Sequence, residues 1–337
     1  MPLLRCRYGA HPSKEEVAKL VAPHPDTLKL VHSWLAHHGV QSSSISMTHG
    51  GNWLTVKGVL VSQAKEMLGE SYQLYRHAGT NDTAILRTVG YALPTVLHAH
   101  VQTVVPTTFF ASARALQQTP HRHSAGAAGP PAKAEPREPV MVLSSNDGPE
   151  GVTPEAVRRL YNTYTYEPTR IVKNELGIAG FINEFPSPTD LTSFMTLFRP
   201  NAVDATFFVE LINNGWFDQS QPGTEGNLNM QYAQAIAYPT THVFYSIGGE
   251  ARWSLSDGEV APDDQFFVWL TYMIIQPNIP RTITISYGIN EKNVPAQYAR
   301  SICNLFAQLG ACGVSILFST GDNGVGEGDC KDGSGKV

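Results

Sequence analysis

The chain has 337 residues, 42% of them hydrophobic and 16% charged, with 24 Lys+Arg against 29 Asp+Glu and a net charge of −5. This is the composition of a folded soluble protein longer than one ordinary domain. No run reaches the roughly 18 consecutive apolar residues of a membrane span, and Met1 to Arg7 is too short and too basic for a signal-peptide core. Neither a membrane nor a nucleic acid is expected as partner, and the residues present offer no route to export.

Split along the chain, the charge is uneven. Residues 1–123 hold 11 Lys+Arg and 6 Asp+Glu, a balance of +5, whereas the remainder holds 13 and 23, a balance of −10. Of the 12 histidines only His242 lies beyond residue 123, so mild acid charges mainly the N-terminal part. Cys6, Cys303, Cys312 and Cys330 are scattered with no CxxC spacing, which argues against a metal cluster. Cys303 and Cys312 could not pair within one helix, and Cys330 is the best candidate for a disulfide, to a partner outside these residues.

Ser13-Lys14-Glu15-Glu16 is a capping box that opens a helix, and Leu28, Val31, Trp34 and Leu35 form the apolar face of a second helix ending near Gly39. Strands are predicted over Asn52–Lys57 and Tyr72–His77, with a helix over Val61–Leu68 between them. This is a small α+β unit, residues 1–110. Residues 111–150 read as a linker: the run 126–139 holds four prolines and no periodic apolar face, and such segments are where proteases cut.

From Thr153 strands and helices alternate. Strands are predicted at 176–182, 205–212, 243–247, 282–286 and 314–318, and helices near 188–198, 225–237, 263–275 and 295–309. Alternation of this kind implies an α/β domain, residues 151–337, with a parallel sheet, helices on both faces and a ligand site at the carboxyl ends of the strands. The fifth strand lies about 20 residues from the last one, which leaves the sheet unfinished in expectation.

Two places carry candidate chemistry. Glu225 and Asn229, four apart, point from one face at the first turn of a helix, where a carboxylate is favoured; an ordinary capping acid would look the same. Ser319-Thr-Gly-Asp-Asn-Gly-Val-Gly326 follows an apolar strand and sets Asp322 among small residues at its end. It reads as a tight turn, as a catalytic aspartate, or, least well because it lacks Gly-Lys-Ser/Thr, as a phosphate loop.

Ser286-Tyr-Gly288, then Asn304-Leu-Phe-Ala-Gln-Leu-Gly310, then the Asp322 loop resemble the fungal branch of the sedolisin family, subtilisin-like serine-carboxyl peptidases that include tripeptidyl peptidases. Arg7–Val17 is similar to the family's prosegment signature, Thr153–Tyr161 to the start of its mature enzyme, and Glu225–Tyr232 to its Glu-bearing helix. The resemblance implies a ferredoxin-like prosegment, N-terminally incomplete, that acts as intramolecular inhibitor. It further implies a linker cut on maturation, and part of a subtilisin-like domain that takes peptides or proteins. Glu225 would be general base and Asp322 the protonated oxyanion donor, with Ser286, Tyr287 and Gly288 pairing with substrate backbone.

Two departures are visible. Asn229 stands where the family has an aspartate that orients the Glu and shares its proton. No Gly-Thr-Ser nucleophile segment occurs, and it and the family's calcium site would lie beyond Val337, so this chain is expected to bind no metal and to be inactive. The family is extracellular or vacuolar. Asn81-Asp-Thr83 is a glycosylation sequon that chance would also produce. The charge split suggests that prosegment and body attract near neutrality and repel in acid. A rival reading is a non-catalytic binding or inhibitory protein acting through its prosegment; a nucleotide-binding α/β enzyme would leave the prosegment and linker unexplained.

Overall fold

The structure is a computed structural model that describes residues 9–76, 85–110, 152–168, 174–181, 184–248, 265–288 and 294–321. The linker, Cys6, Cys330, the Asn81 sequon and Asp322 lie outside them.

The N-terminal unit begins with α1 (Lys14–Val21), closed by the expected capping box: Glu16 N–H donates to Ser13 Oγ at 3.2 Å, and Ser13 N–H to Glu16 Oε2 at 2.7 Å. Helix α2 (Pro25–His37) buries Val31 and Leu35, half of its expected apolar face, and the chain leaves it through Gly39 at φ +76°. The strands β1 (Ile45–Met47), β2 (Leu54–Val56), β3 (Gln73–Tyr75) and β4 (Ile85–Arg87) flank α3 (Val61–Leu68) in the order β1, β2, α3, β3, β4. They pair as two antiparallel two-stranded ladders, β1 with β2 and β3 with β4, and no four-stranded ferredoxin-like sheet closes among the described residues. Val31, Leu35, Val40 and Leu97 form a small core of the unit's own.

The second unit opens with α4 (Pro154–Leu160), capped by Thr153. Its sheet holds β5 (Glu175–Gly180), β6 (Phe207–Ile212), β7 (Thr241–Ile247), β8 (Thr282–Ile285) and β9 (Ser315–Phe318), in the order β6-β7-β5-β8-β9 with every neighbouring pair parallel. Four helices alternate with the strands: α5 (Pro188–Phe198), α6 (Thr224–Ala237), α7 (Gln265–Ile275) and α8 (Ala296–Ala311). The period of two decides which residue faces which layer. Ile178 and Phe244 pack with Leu191 and Met195 of α5 and Met230 of α6. Their chain neighbours Ala179, Val243 and Tyr245 pack instead with Trp269 and Leu270 of α7 and Leu305 of α8. Helices therefore cover both faces, as the alternation implies. Edge strand β9 leaves Leu317 and Phe318 exposed.

The two units touch along α7 and α8. Lys14 Nζ donates to the carbonyls of Met273, at 2.9 Å, and Gln276, where α7 ends. Trp53 packs on Phe267 with ring centroids 4.4 Å apart, and Phe109 stacks on Tyr298 at 4.5 Å. The contacts described between the units are thus a cation on a helix terminus and aromatic packing, while His24–Asp26, Lys29–Asp26 and Arg159–Glu155 are ion pairs within a helix or its cap. No helix among the described residues is long and apolar enough to cross a membrane.

Candidate functional site at the carboxyl edge of the sheet

Because every strand runs the same way, the segments that leave their carboxyl ends gather at one edge. Ser286, Tyr287 and Gly288 leave β8 there, the segment 184–187 follows β5, and α6 starts after β6. The start of α6 is built tightly. Its N-cap, Gly223, has no side chain to cap with. The work passes to Glu184, whose Oε2 accepts from the N–H groups of Glu225, at 3.2 Å, and Gly226, at 3.4 Å. Gly223 N–H donates to Phe185 O at 2.9 Å. Asn227 accepts from Ser187 N–H and donates to Asp190 Oδ2, both at 2.7 Å.

Glycine is required twice in this turn. A Cβ on Gly223 would lie 1.7 Å from Glu184 Oε2, and one on Gly226 would lie 2.6 Å from the carbonyl carbon of Phe185. Glu225 between them is 7% exposed, so its carboxylate sits where water screens little. Charges at such a place act on one another over several ångströms.

One turn further on, Ser286 Oγ donates to Asn229 Oδ1 at 2.9 Å, tying α6 to the end of β8. Tyr287, 2% exposed, packs edge-on against Phe181 with centroids 5.1 Å apart. Its hydroxyl donates to Phe181 O at 3.4 Å. Burial, then the negative charges of Glu225 and Glu184, push the Tyr287 hydroxyl well above the ordinary phenol range, so it stays a neutral donor. A Cβ on Gly288 would meet nothing within 4 Å; the described residues leave open space beside that backbone.

Of the residues singled out in the sequence, Glu225, Asn229, Ser286, Tyr287 and Gly288 gather at this one edge. Asp322 is outside the described residues. Gly321 before it adopts φ +82°, as a tight turn after β9 requires, and Ser319 N–H donates to Ile285 O at 3.0 Å, which holds the start of that turn against the end of β8. Glu184 was not foreseen. The signal was the pair of glycines around Glu225, which marks close approach by another segment without saying which. Among the described residues no group of three or more His, Cys, Asp or Glu side chains could hold a metal ion, so the calcium implied by the resemblance finds no donor set among them. Cys303 and Cys312 are free.

Residues 5–110 match the pro-kumamolisin activation domain. Probable tripeptidyl-peptidase SED3 of Trichophyton verrucosum is 30% identical over 349 aligned positions, covering 98% of this chain and 54% of its own length. Tripeptidyl-peptidase SED2 of Arthroderma otae is 31% identical over 340 positions, covering 98% and 55%. Over 98% of its length the chain is thus similar to these fungal tripeptidyl-peptidases, and its first part matches the activation-domain family. The chain spans about half the length of the curated relatives it matches. A solved Pseudomonas sedolisin, a serine-carboxyl proteinase complexed with two molecules of pseudo-iodotyrostatin, is a looser likeness at 20% identity and TM-score 0.39, covering 55% of this chain and 49% of that one. The match to an activation domain falls on the first unit, which has a small core of its own.

Proposed function

We propose that the chain is the inhibitory prosegment and the base-bearing part of an acid-acting serine peptidase precursor that releases tripeptides from free N-termini; its relatives are named tripeptidyl-peptidases. In this reading residues 1–110 are the prosegment, 111–150 the linker cut on maturation and 151–337 part of the catalytic domain, and the setting is extracellular or vacuolar. What carries it is a buried carboxylate, Glu225, held at the carboxyl edge of a parallel sheet, the edge at which the open backbone of Gly288 also leaves β8.

The roles follow from chemistry. Glu225 takes the proton of an attacking serine hydroxyl as its oxygen bonds the scissile carbonyl carbon. Asp322, protonated, donates to the oxyanion. As the tetrahedral intermediate collapses, the C–N bond breaks and Glu225 returns the proton to the leaving amine. Ser286, Tyr287 and Gly288 form the edge along which a substrate strand pairs. Asn229 orients α6 through Ser286 but its amide cannot hold or pass a proton as a carboxyl does.

The Gly-Thr-Ser segment that bears the family's nucleophile does not occur in these 337 residues, so residues 1–337 by themselves hydrolyse no peptide. Incubation with tripeptidyl reporter substrates between about pH 3 and pH 6, where carboxyl groups titrate, is expected to release nothing above the blank. Turnover that disappears in Glu225→Ala would overturn this.

A second reading, a non-catalytic inhibitor acting through its prosegment, is favoured by Asn229 and by a first unit that has a core of its own. Adding the intact chain to an active sedolisin-type tripeptidyl-peptidase separates the two: an unchanged rate supports the precursor, stoichiometric inhibition the inhibitor.

A further inference from the structure

We propose that Glu184 is a positioning residue for Glu225, fixing the helix turn that carries it and supplying the neighbouring negative charge that position 229 does not. The inference rests on Glu225 being the base in the proposed function, and it starts from a feature that function leaves unused.

The start of α6 has three exposed needs: free N–H groups, no capping side chain at Gly223, and a buried acid at its second position. A Ser, Thr, Asn or Asp at the N-cap would meet the first alone. Glu184, arriving from the segment after β5, meets it with a full charge, and accepts from the N–H of Glu225 itself. The turn is shaped around that carboxylate, since any side chain at position 223 would collide with it. The segment is then locked in place by the bonds of Gly223 to Phe185, Asn227 to Ser187, and Asn227 to Asp190.

The acids facing this turn come from three elements. Glu184 lies on the segment after β5, Tyr287 after β8, and Asp190 on α5, where its carboxylate is taken up by Asn227. Helix α4 meets the later turns of α6, where Tyr232 donates to Val152 O, and its own Glu155 and Arg159 pair with each other at 2.8 Å. The Tyr287 hydroxyl feels the charges of Glu225 and Glu184 together, so the two carboxylates lie near one point of this edge. A like charge beside Glu225 makes it a stronger base. In a helix with aspartate at position 229 that charge would sit one turn along the same face; here it comes from Glu184, across the N-terminus.

Charge and hydrogen bonding are separable. Glu184→Gln keeps an oxygen that can accept from the N–H groups of Glu225 and Gly226 but removes the charge; Glu184→Ala removes both. In the 337-residue chain with 13C-labelled glutamate, the Glu225 carboxyl carbon, assigned by its loss in Glu225→Gln, is followed from about pH 3 to pH 8, across the carboxylate range. Its midpoint is expected to fall by about one unit in Glu184→Gln, while hydrogen exchange at the two amides stays as slow as in the parent chain. A merely structural cap would show slowed exchange with an unmoved midpoint, and that result would overturn the proposal. If Glu184→Gln does not fold, the parent chain still decides. The amide protons of Glu225 and Gly226 are expected to shift with the same two apparent midpoints as the Glu225 carboxyl carbon, the mark of coupled groups; unrelated midpoints refute the coupling. None of these readouts needs turnover, so a failure here leaves the base assignment of Glu225 standing, and a peptidase assay that contradicts that assignment leaves the coupling measurable.

Discussion

The hydroxyl of Ser286 donates to Asn229 Oδ1 at 2.9 Å, joining the residue that leaves β8 to the second turn of α6. An aspartate at position 229 could accept the same bond and also hold a proton, which the asparagine amide does not. Ser286→Ala and Asn229→Ala are each expected to cost about 1 kcal/mol, the usual worth of one partly buried hydrogen bond. The double variant is expected to cost little more than either alone. Urea unfolding of the four proteins of this cycle measures it, and additive losses would show that the two side chains act independently.

The three glycines of the site differ in what surrounds them, and alanine substitution reads out the difference. At Gly226 the added carbon meets backbone, 2.6 Å from Phe185 C, whereas at Gly223 it meets the carboxylate of Glu184 at 1.7 Å. A side chain can swing away but a backbone cannot, so Gly226→Ala is expected to cost the more, about 2–4 kcal/mol. Gly223→Ala should lose stability together with the Glu184 cap, about 1–2 kcal/mol. Gly288→Ala, with nothing within 4 Å, is expected to stay within about 0.5 kcal/mol of the parent. Thermal unfolding at neutral pH ranks the three, and equal losses would contradict the packing described.

The arrangement of the second unit was readable because its signals are local. Each strand of the sheet and each of the four long helices falls within two residues of its expected bounds, since runs such as Val243–Ile247 and a helix face such as that of α8 carry their period on the surface of the sequence. The short strands β1 and β4, three residues each, give no such period. They form because partners reach them: Ile45 pairs with Val56, and Leu74 with Leu86. The same holds at the site. The four-residue spacing of Glu225 and Asn229 was visible, but the partner that caps their helix lies 41 residues before Glu225, and no spacing rule reaches that far. The opposite net charges of the two units suggest attraction without saying where, and the contacts described between them are two aromatic pairs and Lys14 on the carbonyl end of α7.

That last contact makes a prediction about docking. Lys14 has its amine held by burial below the ordinary lysine range, but at neutral pH it remains the cation at the end of α7. Helix-end contacts of this kind, with two aromatic pairs beside them, depend on salt less than exposed ion pairs do. Lys14→Met should therefore loosen the first unit from the second, and raising salt should not. Exchange of the α7 backbone amides, followed with and without about 0.5 M salt, where the Debye length falls to roughly 4 Å, tests both. Loosening by salt in the parent chain would restore the charge attraction as the main force.

His242 sets a pH limit on the body of the protein. It is fully buried on β7 with its Nδ1 2.8 Å from Thr240 O, and burial pushes its value down to about 4 from 6.5. The unfolded chain therefore takes up this proton before the folded one does. Stability from this residue is complete above about pH 6.5, is lost as pH falls through the interval, and levels off below about pH 4, with a total loss of about 3 kcal/mol at most. Carboxylates add slopes of their own in the lower part of this range, so the quantity to compare is the difference between the parent chain and His242→Gln. Urea unfolding at several pH values from 7 to about 4 is expected to show the parent chain losing stability more steeply than the variant. Parallel curves would mean that His242 is reached by water or finds a partner for its proton, and that the limit lies elsewhere in the fold.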